Sequence, residues 1–296
     1  GRRCGIALCC MSSAATSPAR QYFPVSNESG PGGYDALAGD DTLATFCLDV
    51  DAQRAHYLSH KQAIAARPGR GPLRAAGAAT DLVVQRAERF VRERMLELDA
   101  FQGEAARLQS MTLDELMFEL QEDLVIMHCA DGHALERARA LYMHVCFPGG
   151  WDPSQLLGKS FPALHARVPY EPGFDRVERV EHAARLFEAP LARYVWSVTA
   201  EPTLDRHPKT PRTQDFQAAT ELFLRVERQI MSPLTEAGSE LGSTSLFFIR
   251  TYVYGRDSLS AEQRQVLASA IAGMSEAMRR YKGMLGHEQR ILQLLA

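Results

Sequence analysis

The chain is predicted to be α+β, built on an antiparallel sheet, from three observations. Helix-period segments with capping signals fill the first third, short apolar and aromatic runs take over after residue 118, and a capped helical stretch follows the last of these runs. No 20–50-residue period recurs, so solenoids and propellers are not supported. The 296 residues are 46% hydrophobic and 23% charged, which excludes disorder throughout. The net charge is −3, with no Lys/Arg block of the kind that grips a phosphate backbone, so nucleic acid is disfavoured as a partner. No stretch reaches the roughly 18–20 apolar residues that cross a bilayer, which argues against a membrane protein.

Residues 1–40 read as an extended or disordered lead rich in Ser, Ala, Pro and Gly, with Met11 as the expected natural start. A single domain is expected over 41–296, with its core at 118–285. Residues 41–67 pass from a short apolar stretch into a helix stopped by Arg67-Pro68-Gly69, and 68–77 read as a loop. From Asp81 to about Phe101, Val83, Ala87, Phe90, Val91, Met95 and Leu98 recur at helical spacing. Thr112 and Glu115 form a capping-box pattern that opens another helix.

Leu124–Cys129 and Leu141–Phe147 flank Asp131-Gly132 and are predicted to pair as antiparallel strands. Further strands are expected at 194–199, 221–230 and 245–254, with a helical segment at 174–189. A final helix begins at the capping box Ser260…Gln263 and carries Leu267, Ile271, Met274 and Met278 on one face.

Fingerprints for nucleotide binding, serine hydrolysis and zincin chemistry are missing. Cysteines 4, 9, 10, 47, 129 and 146 lack the spacing of a disulfide scaffold and are read as free thiols in a reducing cytoplasm. No Cys-x-x-Cys-His occurs, which excludes covalent c-type haem. His128, Cys129, His133, His144 and Cys146 fall near one hairpin and could meet at a soft metal. Strand alternation puts His128 and Cys129 on opposite faces, so core packing is the default. On strand 221–230, Phe223, Arg225, Glu227 and Gln229 share a side, and on 245–254 Arg250 shares a side with Tyr252 and Tyr254. One sheet surface is therefore expected to carry Arg225, Glu227, Arg250 and Tyr252 together, either as cross-strand ion pairs or as a site for a bound carboxylate or substrate. His165 sits alone on a short apolar segment between Gly158 and Pro169. Such a histidine is most often structural, yet a single neutral imidazole is also what an axial haem ligand requires.

At this point Gln121-Glu-Asp-Leu124, Val145-Cys-Phe-Pro148 with Trp151, Leu157-Gly158 through His165-Ala-Arg-Val-Pro169, Leu224-Arg-Val-Glu-Arg-Gln229, Phe248-Ile-Arg-Thr-Tyr252 and Tyr281-Lys-Gly283 form six ordered blocks. Over 118–285 they resemble the haem-dependent oxidative N-demethylases, whose haem-binding subunit has a PAS-like fold. The resemblance implies a PAS-like antiparallel sheet with flanking helices and an N-terminal helical extension. It implies a non-covalent haem b with His165 as proximal iron ligand, and Arg225, Glu227, Arg250 and Tyr252 lining or bracing the pocket. In the family's chemistry O2 bound to ferrous haem oxidises the methyl carbon of a small N-methylamine, and the carbinolamine collapses to amine and formaldehyde. Electrons would come from a separate NADPH-dependent reductase. Glu227 would then hold the ammonium and take its proton, and Tyr252 would donate to bound oxygen.

Two departures stand out. Gly149-Gly150 fills a position where Ser-Arg-like polarity is expected, and Ile230-Met-Ser-Pro-Leu replaces a Thr-Leu-basic-Leu-Pro continuation. They point to a related amine or amino acid as substrate. A haem-based PAS-like sensor and a non-catalytic scaffold subunit are the competing readings, and assembly into a homo-oligomer is compatible with the sequence.

Overall fold

The computed structural model describes residues 21–25, 34–36, 47–131, 136–169, 187–188, 190–212, 214–234 and 242–296. Most of the expected lead, the helical segment 174–189 apart from 187–188, His133, Cys4, Cys9 and Cys10 lie outside the described residues.

Among the described residues seven strands form one sheet: β1 Tyr34–Ala36, β2 Leu73–Arg74, β3 Asp123–Cys129, β4 Arg139–His144, β5 Leu191–Thr199, β6 Phe223–Pro233 and β7 Ser243–Gly255. Their spatial order is β1-β5-β6-β7-β3-β4-β2, and every neighbouring pair is antiparallel. The five long strands are those expected. The two edge strands are three and two residues long, too short to leave a hydrophobic period.

The helices are α1 Arg54–Ala65, α2 Ala78–Leu96, α3 Ala105–Gln109, α4 Leu113–Glu119, α5 Phe161–Leu164, α6 Ala261–Gly273, α7 Glu276–Tyr281 and α8 Glu288–Leu295. Both capping boxes form, Thr112 with Glu115 and Ser260 with Gln263, satisfying N–H groups that a helix start leaves orphaned. The amphipathic helix expected to run to Phe101 stops at Leu96, and a 3-10 turn over Asp99–Phe101 then buries the Phe101 ring. The continuous final helix is also corrected. Met274 turns extended and the Ser275 hydroxyl accepts from Met278 N–H, so Met278 belongs to a new helix.

Strand register sorts the two faces of the sheet. Odd-numbered residues of β3, β5, β6 and β7 lie opposite one another, as in Asp123 with Ile249, Arg193 with Gln229 and Arg225 with Val253, so they share one face. The even-numbered face is sealed. Leu124, Ile126, Ala192, Ile230, Leu246 and Phe248 pack there against Val84, Ala87, Val91 and Met95 of α2 and Leu116 and Met117 of α4. Farther along, Trp196, Val198, Leu224 and Val226 pack against Leu267 and Ile271 of α6 and Ile291 and Leu295 of α8. Each fully buried side chain of this size contributes about 1.5–3 kcal/mol. On the odd-numbered face, by contrast, Arg193, Val195, Ser197, Glu227 and Phe247 are only half-buried.

Gly242 leads into β7 with φ +76°, and a Cβ there would overlap the carbonyl oxygen of Cys129 at the end of β3. The obstacle is backbone and cannot swing aside. Gly242→Ala should therefore cost about 3 kcal/mol from left-handed strain plus overpacking, read as a lower urea midpoint at constant m-value.

Candidate functional site

Two polar constellations flank the sheet, and their separation corrects the expectation that Arg225, Glu227, Arg250 and Tyr252 share one surface. Arg250 stands opposite Arg228, and Tyr252 opposite Val226, on the sealed face. There the Arg250 guanidinium meets Asp51 Oδ2 at 3.0 Å and stacks 4.2 Å from the centre of the Tyr57 ring. Tyr252 Oη donates to Asp49 Oδ2 at 3.0 Å, and burial drives its phenol far above the ordinary range. Glu122 Oε1 accepts the Asp49 backbone N–H at 2.8 Å and lies 3.6 Å from Arg228. These groups fasten the 47–53 segment and β3 to the middle of the sheet.

Arg225 and Glu227 occupy the half-open face. Arg225 is buried and donates to Leu204 O at 3.1 Å, Phe147 O at 2.9 Å, Thr251 Oγ1 at 3.3 Å and Glu227 Oε1 at 3.0 Å. It thereby ties two loops to β6 and orients the carboxylate next to it. Gln229 Nε2 holds the other oxygen of Glu227 at 3.0 Å. The Glu227 side chain keeps 15% of its surface accessible, so it is oriented without being sealed.

The loop after β4 passes over this carboxylate. Asp123 takes the N–H groups of Cys146 and Phe147 on its two oxygens, at 3.0 and 2.8 Å, and Arg206 N–H donates to Pro148 O at 3.2 Å. Asp152 then accepts from Ser154 and lies 3.2 Å from His207 Nε2. Burial opposes the ionised form of Asp152, but these partners pull its carboxyl down to about 2. A Cβ on Gly149 would stand 2.7 Å from Glu227 Oε1, and Gly150 takes φ +104°. The glycine pair is thus explained by a close backbone approach at 149 and a left-handed residue at 150.

His165 is half-buried at the C-terminal end of α5. Phe161 and Leu164 of that helix pack on Val125, Met127, Met143 and Met231, which puts α5 on the same half-open side of the sheet as Glu227. His165 Nδ1 is 3.0 Å from Phe161 O, and the two rings lie 4.2 Å apart. A carbonyl can only accept, so Nδ1 carries a proton in this contact.

The hairpin histidines separate. His128 Nδ1 lies 2.9 Å from Thr244 Oγ1, whereas Asp123, His144 and Cys146 bring one ligand atom each within 4.8 Å of one another. Lys61 Nζ sits 3.6 Å from Asp123 Oδ1, so a resident ammonium already faces that carboxylate. Burial, and next the Lys61 charge, hold His144 well below the usual imidazole range. Cys47, Cys129 and Cys146 are buried thiols outside any disulfide among the described residues.

Sequence reading missed Arg193, which stands opposite Gln229, and Lys282 and Arg206, whose charges feel the Glu227 carboxylate. They come from a helix end, an inner strand and a loop that no local pattern connects. Among the described residues no helix is long and apolar enough to cross a membrane. The family model described as haem-dependent oxidative N-demethylase, alpha subunit-like matches residues 83–292, which include every block named above, and the chain belongs to that family.

Proposed function

We propose that this chain is the haem-binding, PAS-like subunit of an amine oxidase. It would use O2 to oxidise the carbon next to nitrogen in a small N-methylamine, with electrons delivered by a separate NADPH-dependent reductase. One observation carries the reading: His165 on α5 and the oriented carboxylate of Glu227 lie on the same half-open face, while the other face is sealed by helices. The donor set fits haem b. A neutral imidazole whose Nδ1–H is directed at a backbone carbonyl presents Nε2 as an iron ligand, and Phe161 and Leu164 supply apolar surface beside it. When bound, haem would supply O2 activation and one-electron chemistry. The family description names haem dependence and an alpha subunit, which supports a partner subunit.

The residues of this chain would do the rest. Arg225 and Gln229 hold the Glu227 carboxylate in place, so it can receive a protonated amine and take its proton when the nitrogen lone pair is needed. Gly149 lets the loop backbone pass close beside that carboxylate. Arg250 and Tyr252 act from beneath as supports. With haem-loaded protein, reductant and an N-methylamine, Glu227→Gln should lower turnover on the order of a hundredfold at unchanged haem occupancy. Formaldehyde release measures it. Undiminished turnover removes the proton-transfer role, and loss of haem would make Glu227 structural.

A further inference from the structure

His144 ends β4 and pairs with Leu124, next to Asp123 at the start of β3. Only 1% of His144 is exposed, and neither ring nitrogen has a hydrogen-bond partner among the described residues. Phe118 of α4 closes one side of the ring in an edge contact, with centres 4.5 Å apart. Buried polar groups are otherwise paired almost without exception, so an imidazole with both nitrogens unpartnered is built to meet something else.

Two residues on, Cys146 brings its thiol to the same point. One ligand atom each of His144, Cys146 and Asp123 lies within 4.8 Å of the other two, and all three residues are buried. Bonds from a zinc-like ion to nitrogen, oxygen and sulfur run about 2.0–2.3 Å, so atoms facing each other across one ion stand up to roughly 4.4 Å apart. A small side-chain adjustment therefore places the three groups in one coordination sphere. Their positions are already fixed by the backbone, because Asp123 accepts the N–H groups of Cys146 and Phe147 at 3.0 and 2.8 Å.

Lys61 decides which charge the cluster accepts. Its ammonium donates to the carbonyls of Met117 and Glu122 and lies 3.6 Å from Asp123 Oδ1, so it offsets that carboxylate and keeps two partners if the carboxylate turns. Burial, and then the Asp123 charge, push the Cys146 thiol up to about 12, so without a metal it is neutral. A coordinating thiol loses its proton outright. The thiolate then cancels one unit of metal charge. A monovalent ion leaves the buried cluster neutral, whereas a divalent ion leaves a net positive charge out of water, which is costly.

We propose that His144 and Cys146, with Asp123 alongside, form a buried site for a thiophilic d10 cation. Imidazole and thiolate are ligands that Cu(I) and Zn2+ share, and the charge balance favours Cu(I). Binding forms a metal–nitrogen and a metal–sulfur bond and releases the thiol proton to solvent, with no change of oxidation state. His144 shares the sealed face with Leu124, away from His165 and Glu227, so the site is independent of the haem reading.

Full-length protein, expressed with added copper or zinc and purified under reductant, is freed of loosely held metal by gel filtration and assayed for both metals. One ion per chain should remain. Cys4, Cys9 and Cys10 offer thiols of their own, so the same assay is run with all three replaced by Ser, and the ion should stay. Competition with bicinchoninate for Cu(I), or with a chromophoric chelator for Zn2+, should show that His144→Gln and Cys146→Ser each weaken binding about a hundredfold or more, since orienting contacts alone are worth 10–100-fold. Circular dichroism shows whether these variants fold. X-ray absorption at the metal edge of the loaded Ser-substituted protein needs neither variant and should show nitrogen and sulfur neighbours. Retention of either ion with those neighbours supports the site. No ion in the Ser-substituted protein, a sphere without sulfur, or an affinity that survives Cys146→Ser in folded protein overturns it.

Discussion

Arg250→Met should destabilise the protein by about 3–5 kcal/mol, the cost of stranding buried charges by removing one partner. The guanidinium has 0% exposure, pairs with Asp51 at 3.0 Å and stacks between Tyr57 and Tyr252 at 4.2 and 5.1 Å. Methionine roughly keeps the volume and removes the charge, leaving Asp49, Asp51 and Glu122 to share Arg228. Burial already raises the Glu122 carboxyl, with Arg250 and then Arg228 working against that rise. Losing Arg250 raises it further. A folded-state value above the unfolded one means the folded protein binds the extra proton, so stability falls as pH rises through that window. The loss in Arg250→Met should accordingly be larger at pH 8 than at pH 5. Urea unfolding at the two pH values measures both effects, and a loss below 1 kcal/mol at each would show that the buried network carries no net weight.

His165→Ala should weaken haem retention by about a hundredfold or more, since it removes a coordinate bond where orienting contacts alone are worth 10–100-fold. The fold should survive. His165 is half-buried at the end of a four-residue helix, where truncation costs within about 0.5 kcal/mol. Hemin titration followed in the Soret band, with thermal unfolding as the control, reads the two effects separately. An unchanged Soret spectrum at full occupancy in the variant would assign the iron to another ligand.

Much of the fold was legible because local physics decides it. The hydrophobic runs at 124–129, 194–199, 221–230 and 245–254 are long enough to show their period, and Thr112 and Ser260 announce their helices through reciprocal capping bonds. The breaks were less legible. Met274 leaves the helix although its spacing fits, because Ser275 offers the backbone a competing cap.

Of the site, the sequence by itself determined the candidate groups: a lone histidine on an apolar segment, and the polar side of β6 that presents Arg225, Glu227 and Gln229 together. Alternation within one strand is enough for that, since successive side chains must point to opposite faces. Only the tertiary structure decided which strand faces meet. Pairing β6 with β7 so that Arg225 lies opposite Val253 sends Arg250 and Tyr252 to the far side, and a slip of one residue would reverse every assignment. The close approach of Gly149 to Glu227 likewise depends on chain segments 78 residues apart and on long-range pairing that no local period encodes.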